Sequence, residues 1–163
     1  MKIIDLSCTY KSGQIAGNPK RHPVVALKRM GRIEDVGFNT SSILLGSHTG
    51  THIDAPLHFF ADGTPIDKID LNLCCGPVTT VDFRRFGPGS RVEPKDVSGL
   101  KVSSRMLFVF GWDQYYDSPQ YQKDWPYFSL EAVQYLYDKG MRLMVMDTIS
   151  PDCAAKGGPE DFQ

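Results

Sequence analysis

Ser129-Leu-Glu-Ala-Val-Gln-Tyr-Leu-Tyr-Asp-Lys-Gly-Met-Arg-Leu-Met-Val-Met-Asp147 holds a helix, a glycine break and a strand in one short stretch. Ser129 offers an N-cap oxygen, Glu131 suits the positive end of the helix dipole, and Lys139-Gly140 closes the helix. Leu130, Val133, Leu136 and Tyr137 form its apolar stripe, suited to burial against a sheet. The apolar run Leu143-Met-Val-Met146 then reads as a central strand covered on both faces, as in parallel sheets. A helix that feeds such a strand through one glycine belongs to an α/β protein.

Working outward, the spacing of apolar residues predicts strands near Lys2 to Leu6, Phe38 to Leu45, Pro77 to Phe83, Arg105 to Gly111 and Arg142 to Asp147. Gly87-Pro-Gly-Ser90 has turn chemistry, and Glu93-Pro-Lys-Asp96 opens a short helix. No repeat and no low-complexity linker interrupts the chain. The 163 residues are therefore expected to form one domain, 1–163, built as a mixed β-sheet with packed helices. Trp112, Tyr115, Tyr116, Tyr121 and Trp125 crowd the loop after the fourth strand. They are expected to plug the edge of the core or an oligomer interface, with a substrate-lining role as the alternative. Asp147, Ser150 and Asp152 sit at another strand end, in turn, capping or catalytic positions.

Charge and cysteine usage exclude several classes. A formal net charge of −1 gives no basic field for nucleic acid. No apolar run reaches the length of a membrane span, and the N-terminus lacks the apolar core of a signal peptide. Cys8, Cys74, Cys75 and Cys153 are too few and too irregular for a disulfide framework. The adjacent pair would face opposite ways in an extended segment, so small, partly buried apolar positions are expected for these thiols. A cytoplasmic location follows as the expectation.

The chemistry concentrates in His48-Thr-Gly-Thr-His52-Ile-Asp54-Ala-Pro-Leu-His58, which holds three of the four histidines. Imidazole nitrogens and a carboxylate are what a zinc- or manganese-class ion recruits. Gly50, Thr49 and Thr51 are poor helix material. The preceding Ser42-Ile-Leu-Leu45 reads as a buried strand ending in a turn at Gly46-Ser47. If 51–54 is extended, His52 and Asp54 project to one side. His48 then returns over the turn, and Pro56 bends the chain so that His58 approaches the same point. A closed zinc site that only staples a loop is the competing reading, weakened by the lack of a nearby cysteine. His22, alone between Arg21 and Pro23, reads as a surface residue.

This run resembles the signature of the cyclase family of metal-dependent hydrolases, which includes bacterial kynurenine formamidases and isatin hydrolases. The family pattern His-x-Gly-Thr-His-x-Asp-x-Pro-x-His is met at every specified position from His48 to His58. Ile4-Asp5-Leu6-Ser7, Gly111-Trp112-Asp113 and the Asp147-Thr-Ile-Ser150-Pro-Asp152 segment are similar to further family stretches. The resemblance implies the swivelling β/β/α fold. It also implies a longer family chain, whose later part supplies another metal-binding histidine and a glutamate. No histidine follows His58 here, so the domain is expected to be C-terminally incomplete. Formamidase-type members carry an aromatic residue before a proline in the first loop, where this sequence has Gly17-Asn18-Pro19-Lys20.

The expected function is metal-dependent hydrolysis of an amide or cyclic amide, of the N-formyl aryl amide or isatin-like kind. His48, His52 and Asp54 are the expected ligands of a Zn²⁺ or Mn²⁺ ion, with iron also compatible with the carboxylate oxygen. The ion makes water nucleophilic near neutral pH and polarises the carbonyl. His58 is the expected general acid/base, since an ordinary imidazole titrates near ~6.5. Thr49 and Thr51 are expected to orient ligands. A small-molecule amide is the expected partner, with a homodimer or higher homo-oligomer formed through the aromatic loop. The rivals are a non-catalytic binding or structural protein of the same fold and a fragment of a longer enzyme.

Overall fold

The computed structural model describes residues 2–14 and 22–153. The chain divides into two units, Met1–His58 and Phe59–Gln163.

In the first unit, β1 (Ala26–Gly31) pairs antiparallel with β2 (Thr40–Leu44), placing Ala26 opposite Leu44 and Lys28 opposite Ser42. The connection carries one helical turn, α1 (Ile33–Val36), which Gly37 ends in the left-handed region at φ 81°. The expected strand over 38–45 is present. It is not buried: Ile43 is 64% and Leu44 55% exposed, because a two-stranded ribbon has no second layer of its own. Sequence reading missed β1, whose Lys28-Arg29 pair breaks the apolar pattern. The expected strand from Lys2 to Leu6 does not form. Instead the Asp5 carboxylate accepts hydrogen bonds from the Ser7 N–H, at 2.9 Å, and the Ser7 hydroxyl. A local bond of that kind competes with a ladder.

The second unit opens with α2 (Leu71–Cys74), capped by the Asp70 carboxylate on the Asn72 N–H. Its centre is a parallel sheet in the order β3 (Thr79–Asp82), β5 (Arg105–Val109), β7 (Leu143–Met146). A second, two-residue parallel pair joins β4 (Arg91–Val92) to β6 (Tyr127–Phe128). Parallel neighbours require crossovers. The β3–β5 link contains α3 (Pro94–Val97), whose Glu93 and Asp96 form a capping box. The β5–β7 link contains α4 (Leu130–Asp138). The Ser129 hydroxyl caps α4 by accepting the Ala132 N–H at 3.1 Å, as its sequence position predicts. Residues 87–90 make the expected turn, with the Ser90 N–H on the Gly87 carbonyl at 3.1 Å.

Three expectations about this unit are corrected. The central strand is β5, whose Met106 and Phe108 are buried; β7 lies at the edge of the described sheet with Val145 exposed. Helix α4 turns Ala132, Val133 and Leu136 to the core, while Leu130 and Tyr137 are exposed. Ala132 and Leu136 share a face with the Ser129 cap, and the position of that cap fixes the rotation of the helix. Cys74 and Cys75 are exposed rather than partly buried, at the end of α2 where the chain leaves the helix.

Phe83, Phe108, Phe110 and Phe128 make an aromatic cluster at the centre of this core, with ring centroids 5.0 Å apart for Phe108 and Phe128. The aromatic loop joins it. Trp112 is buried, its indole N–H donates to the Tyr121 carbonyl at 3.1 Å, and Tyr115, Tyr121 and Trp125 pack against the cluster. The core-plugging reading of that loop is the one the structure bears out.

Asp147 supplies the polar counterpart. Its Oδ1 accepts the Phe110 N–H at 2.9 Å, and its Oδ2 accepts those of Gly111 and Trp112 at 2.7 and 3.2 Å. It therefore satisfies three amides left over where β5 ends. Ser150 accepts the Asp152 N–H, also a turn role. Asp147→Asn should lower the stability of this unit by about 1–3 kcal/mol, because at least one partly buried amide loses a charged acceptor. Urea unfolding followed by tryptophan fluorescence checks this, since both tryptophans lie in the unit; an unchanged midpoint refutes it.

Candidate metal centre

Strand β2 delivers the chain into a tight turn. The Thr49 N–H meets the Gly46 carbonyl at 3.2 Å, and the Gly46 N–H meets Thr49 Oγ1 at 3.1 Å. Thr49 is only 1% exposed, so this reciprocal pair is shielded from water. Gly50 follows at φ +63°, a left-handed conformation suited to glycine. From His52 to Ala55 the chain has no regular structure, and Pro56–His58 forms a single 3₁₀ turn closed by the His58 N–H on the Ala55 carbonyl at 2.8 Å.

That path gathers the expected residues. His48 Nδ1 lies 2.7 Å from Asp54 Oδ1 and 3.2 Å from His52 Nε2, and His52 Nε2 is 3.3 Å from Asp54 Oδ1. The His58 ring lies over that of His48, with centroids 4.0 Å apart and planes inclined by 36°. Potential ligand atoms of His48, Asp54 and His58 also fall within 4.8 Å of one another. Of the two possible triads, the one through His52 is the tighter.

The tautomers follow from chemistry. His52 Nδ1 is 2.8 Å from the Gly50 carbonyl, which only accepts, so this nitrogen carries the proton. In the neutral imidazole, His52 Nε2 then presents a lone pair to the cluster. Asp54 Oδ1 presents another, and the His48 Nδ1–H is the donor both can share. Two acceptors at 3.3 Å repel unless positive charge lies between them. Tetrahedral ligand bonds of about 2.0–2.2 Å would set donor atoms about 3.3–3.6 Å apart. Two of the three separations, 3.2 and 3.3 Å, come close to that spacing, the third is a 2.7 Å hydrogen bond, and the set of two imidazoles and a carboxylate fits a divalent cation.

Burial holds the His48 imidazole below its ordinary range; the Asp54 carboxylate opposes this, and His58 and His52 reinforce it. A neutral imidazole is the form that ligates.

Three contributors escaped the sequence reading. His22 is half-buried, with its ring edge-on to His48 at 5.9 Å between centroids, instead of standing apart on the surface. The Gly50 carbonyl, which has no letter of its own, orients His52. Tyr10, distant in sequence, donates to the Thr49 carbonyl at 3.1 Å. Thr49 and Thr51 were expected to orient ligands, but their hydroxyls accept backbone N–H groups, from Gly46 and from Cys8 (2.9 Å). The Gly17–Lys20 segment lies outside the described residues.

Fold and site together define a mixed α/β chain that carries a candidate metal centre of histidines and an aspartate. Residues 4–153 match the family described as "Putative cyclase", and the chain belongs to the cyclase family. A kynurenine formamidase from Erythrobacter litoralis is 30% identical over 114 residues, covering 70% of this chain and 51% of that protein. The chain spans between 51% and 58% of the length of the curated formamidases it matches. Isatin hydrolase A from Labrenzia aggregata, solved with benzyl benzoate, superposes with a TM-score of 0.80 at 20% identity, covering 94% of this chain and 70% of that one. A potential metal-dependent hydrolase with cyclase activity superposes with a TM-score of 0.68 at 25% identity, covering 99% and 75%. No described helix is long and apolar enough to cross a membrane.

The direction of the His48 shift makes a pH prediction. Unfolded, His48 titrates near ~6.5 and binds a proton before the folded chain does. Its contribution to stability is therefore present above about pH 6.5 and is lost as pH falls. Metal-free protein should melt at a lower temperature at pH 5.5 than at pH 7.5, and His48→Asn should flatten that decline. An equally steep decline in the variant refutes the assignment.

Proposed function

We propose that the chain carries the metal-binding part of an enzyme that hydrolyses an amide or cyclic amide, of the N-formyl aryl amide or isatin-like class. The observation that carries this reading is the triangle of His48 Nδ1, His52 Nε2 and Asp54 Oδ1 at 2.7–3.3 Å, with the His58 ring beside it. Kynurenine formamidase as the name of the curated relatives supports the amide class.

His48, His52 and Asp54 would hold Zn²⁺ or Mn²⁺. When bound, the cation supplies Lewis acidity, which makes water a better nucleophile near neutral pH and polarises a carbonyl. The chain's own work is positional and protonic. The Gly50 carbonyl keeps the His52 proton on Nδ1, so Nε2 stays free to ligate. His48 would ligate through Nδ1 as the other neutral tautomer, with its proton on Nε2 instead of Nδ1. His58 accepts the proton of the attacking water on a ring nitrogen and returns it to the departing amide nitrogen. Self-association into a homo-oligomer draws support from the exposed apolar residues of β1 and β2, among them Met30, Ile43 and Leu44. A cytoplasmic location remains part of the same proposal.

The competing reading is a metal-binding protein of this fold without turnover. The sequence holds four histidines, and three of them are already in the cluster, so a second cation would draw few nitrogen ligands from this chain.

Elemental analysis after zinc or manganese loading should find metal, and less than about a tenth of an ion per chain overturns the metal assignment. His52→Ala should lose metal and activity together. His58→Gln should keep its metal while hydrolysis of N-formyl aryl amides or isatin-like amides falls about 10²–10⁴-fold, the usual contribution of a positioned proton-transfer group. An active protein unaffected by His58→Gln refutes the role of His58, and a metal-loaded wild type that cleaves neither class favours the non-catalytic reading.

A further inference from the structure

We propose that Tyr10 is a positioning residue of the metal site, acting through Gly50 to fix the tautomer and direction of His52; the proposal rests on the metal-site reading above. Glycine at φ +63° has other conformations within easy reach, so something must select this one. Tyr10 meets the loop twice. Its hydroxyl donates to the Thr49 carbonyl at 3.1 Å. Its ring lies so close to the Gly50 α-carbon that a Cβ there would collide with Cε1, Cζ and Cδ1.

The hydroxyl contact holds the Thr49–Gly50 peptide, and the ring packs against the Gly50 α-carbon from which the next carbonyl departs. Beyond that α-carbon the Gly50 carbonyl meets His52 Nδ1 at 2.8 Å, and Nε2 at the opposite end of the ring faces His48 and Asp54. A neighbouring bond secures the same strap of chain, from the Cys8 N–H to Thr51 Oγ1 at 2.9 Å. The N-terminal segment, which forms no strand, thus serves the site as a brace. Without the Tyr10 contacts, Gly50 could turn its carbonyl away, and His52 would be free to place its proton on Nε2, where it blocks ligation.

The test uses the full chain, with Co²⁺ as the probe, and Tyr10→Phe and Tyr10→Ala beside the wild type. Cobalt affinity is read from its d–d absorption. The His52 tautomer is read in metal-free protein at neutral pH by long-range ¹⁵N–¹H correlation. Tyr10→Ala should weaken cobalt binding about 10–100-fold, the usual cost of removing a ligand's support. Tyr10→Phe should weaken it about two- to tenfold, the net worth of one hydrogen bond. His52 should be protonated on Nδ1 in the wild type and mixed in Tyr10→Ala. Variants that match the wild type in both readouts overturn the proposal. If Tyr10→Ala lacks the wild-type circular dichroism, Tyr10→Phe decides alone by the same criterion. A wild type that takes up no cobalt, but whose His52 tautomer still depends on Tyr10, removes the metal reading and leaves the positioning role standing.

Discussion

When the His52 imidazole is neutral, two lone pairs, on His52 Nε2 and Asp54 Oδ1, face each other across 3.3 Å, because a glycine carbonyl holds the ring's one proton on its far side. Water would relieve such a clash if the residues could separate. The loop prevents this. The turn from Gly46 to Thr49 is closed in both directions with Thr49 buried, Gly50 sits in the left-handed region, and the 3₁₀ turn at Pro56 returns the chain. The backbone therefore fixes an arrangement that the side chains alone would avoid. Held electrostatic stress of this kind is released by a cation, and that ties the shape of the loop to its chemistry.

Two aspartates of the structure, Asp147 and Asp54, show the contrast. Asp147 is surrounded by three N–H donors at the end of β5, so its charge is spent on the fold. Asp54 has a single shared N–H and a neighbouring acceptor. A carboxylate saturated by backbone donors has little left to offer a ligand. One short of donors, beside lone pairs of the same sign, retains most of its capacity. Partner chemistry separates the structural carboxylate from the candidate ligand here, whereas residue type does not.

Much of the second unit was legible in the sequence, because its signals are local. The Ser129 cap, the short helix opened by Glu93-Pro-Lys-Asp96, the turn at 87–90 and the apolar run of β5 each depend on residues a few positions apart. What was misread depends on remote partners. Lys2 to Leu6 has strand composition but no ladder, and β1 has a ladder despite its lysine and arginine. The apolar run 143–146 has the composition of a central strand, yet pairing places β5 between its neighbours. In the site the same division holds. His48, His52, Asp54 and His58 were found because they share one run of chain. His22 and Tyr10 approach from elsewhere, and a backbone carbonyl leaves no mark in a list of residue types.

The distribution of the core bears on how the site is held. Among the described residues, Val25 is the one buried apolar side chain of the first unit, and the rest of the buried apolar set lies between Val81 and Met141. Rigidity around His48–His58 thus comes from hydrogen bonds and restricted dihedrals rather than from close-packed hydrophobic mass. Each such bond contributes on the order of 1 kcal/mol, so no single contact dominates and each one counts. A cation that joined three side chains of this loop would add a bond network larger than any of them. Binding free energy at such a site is partly folding free energy, and the unit that carries the ligands is the one with the least core to stabilise it otherwise.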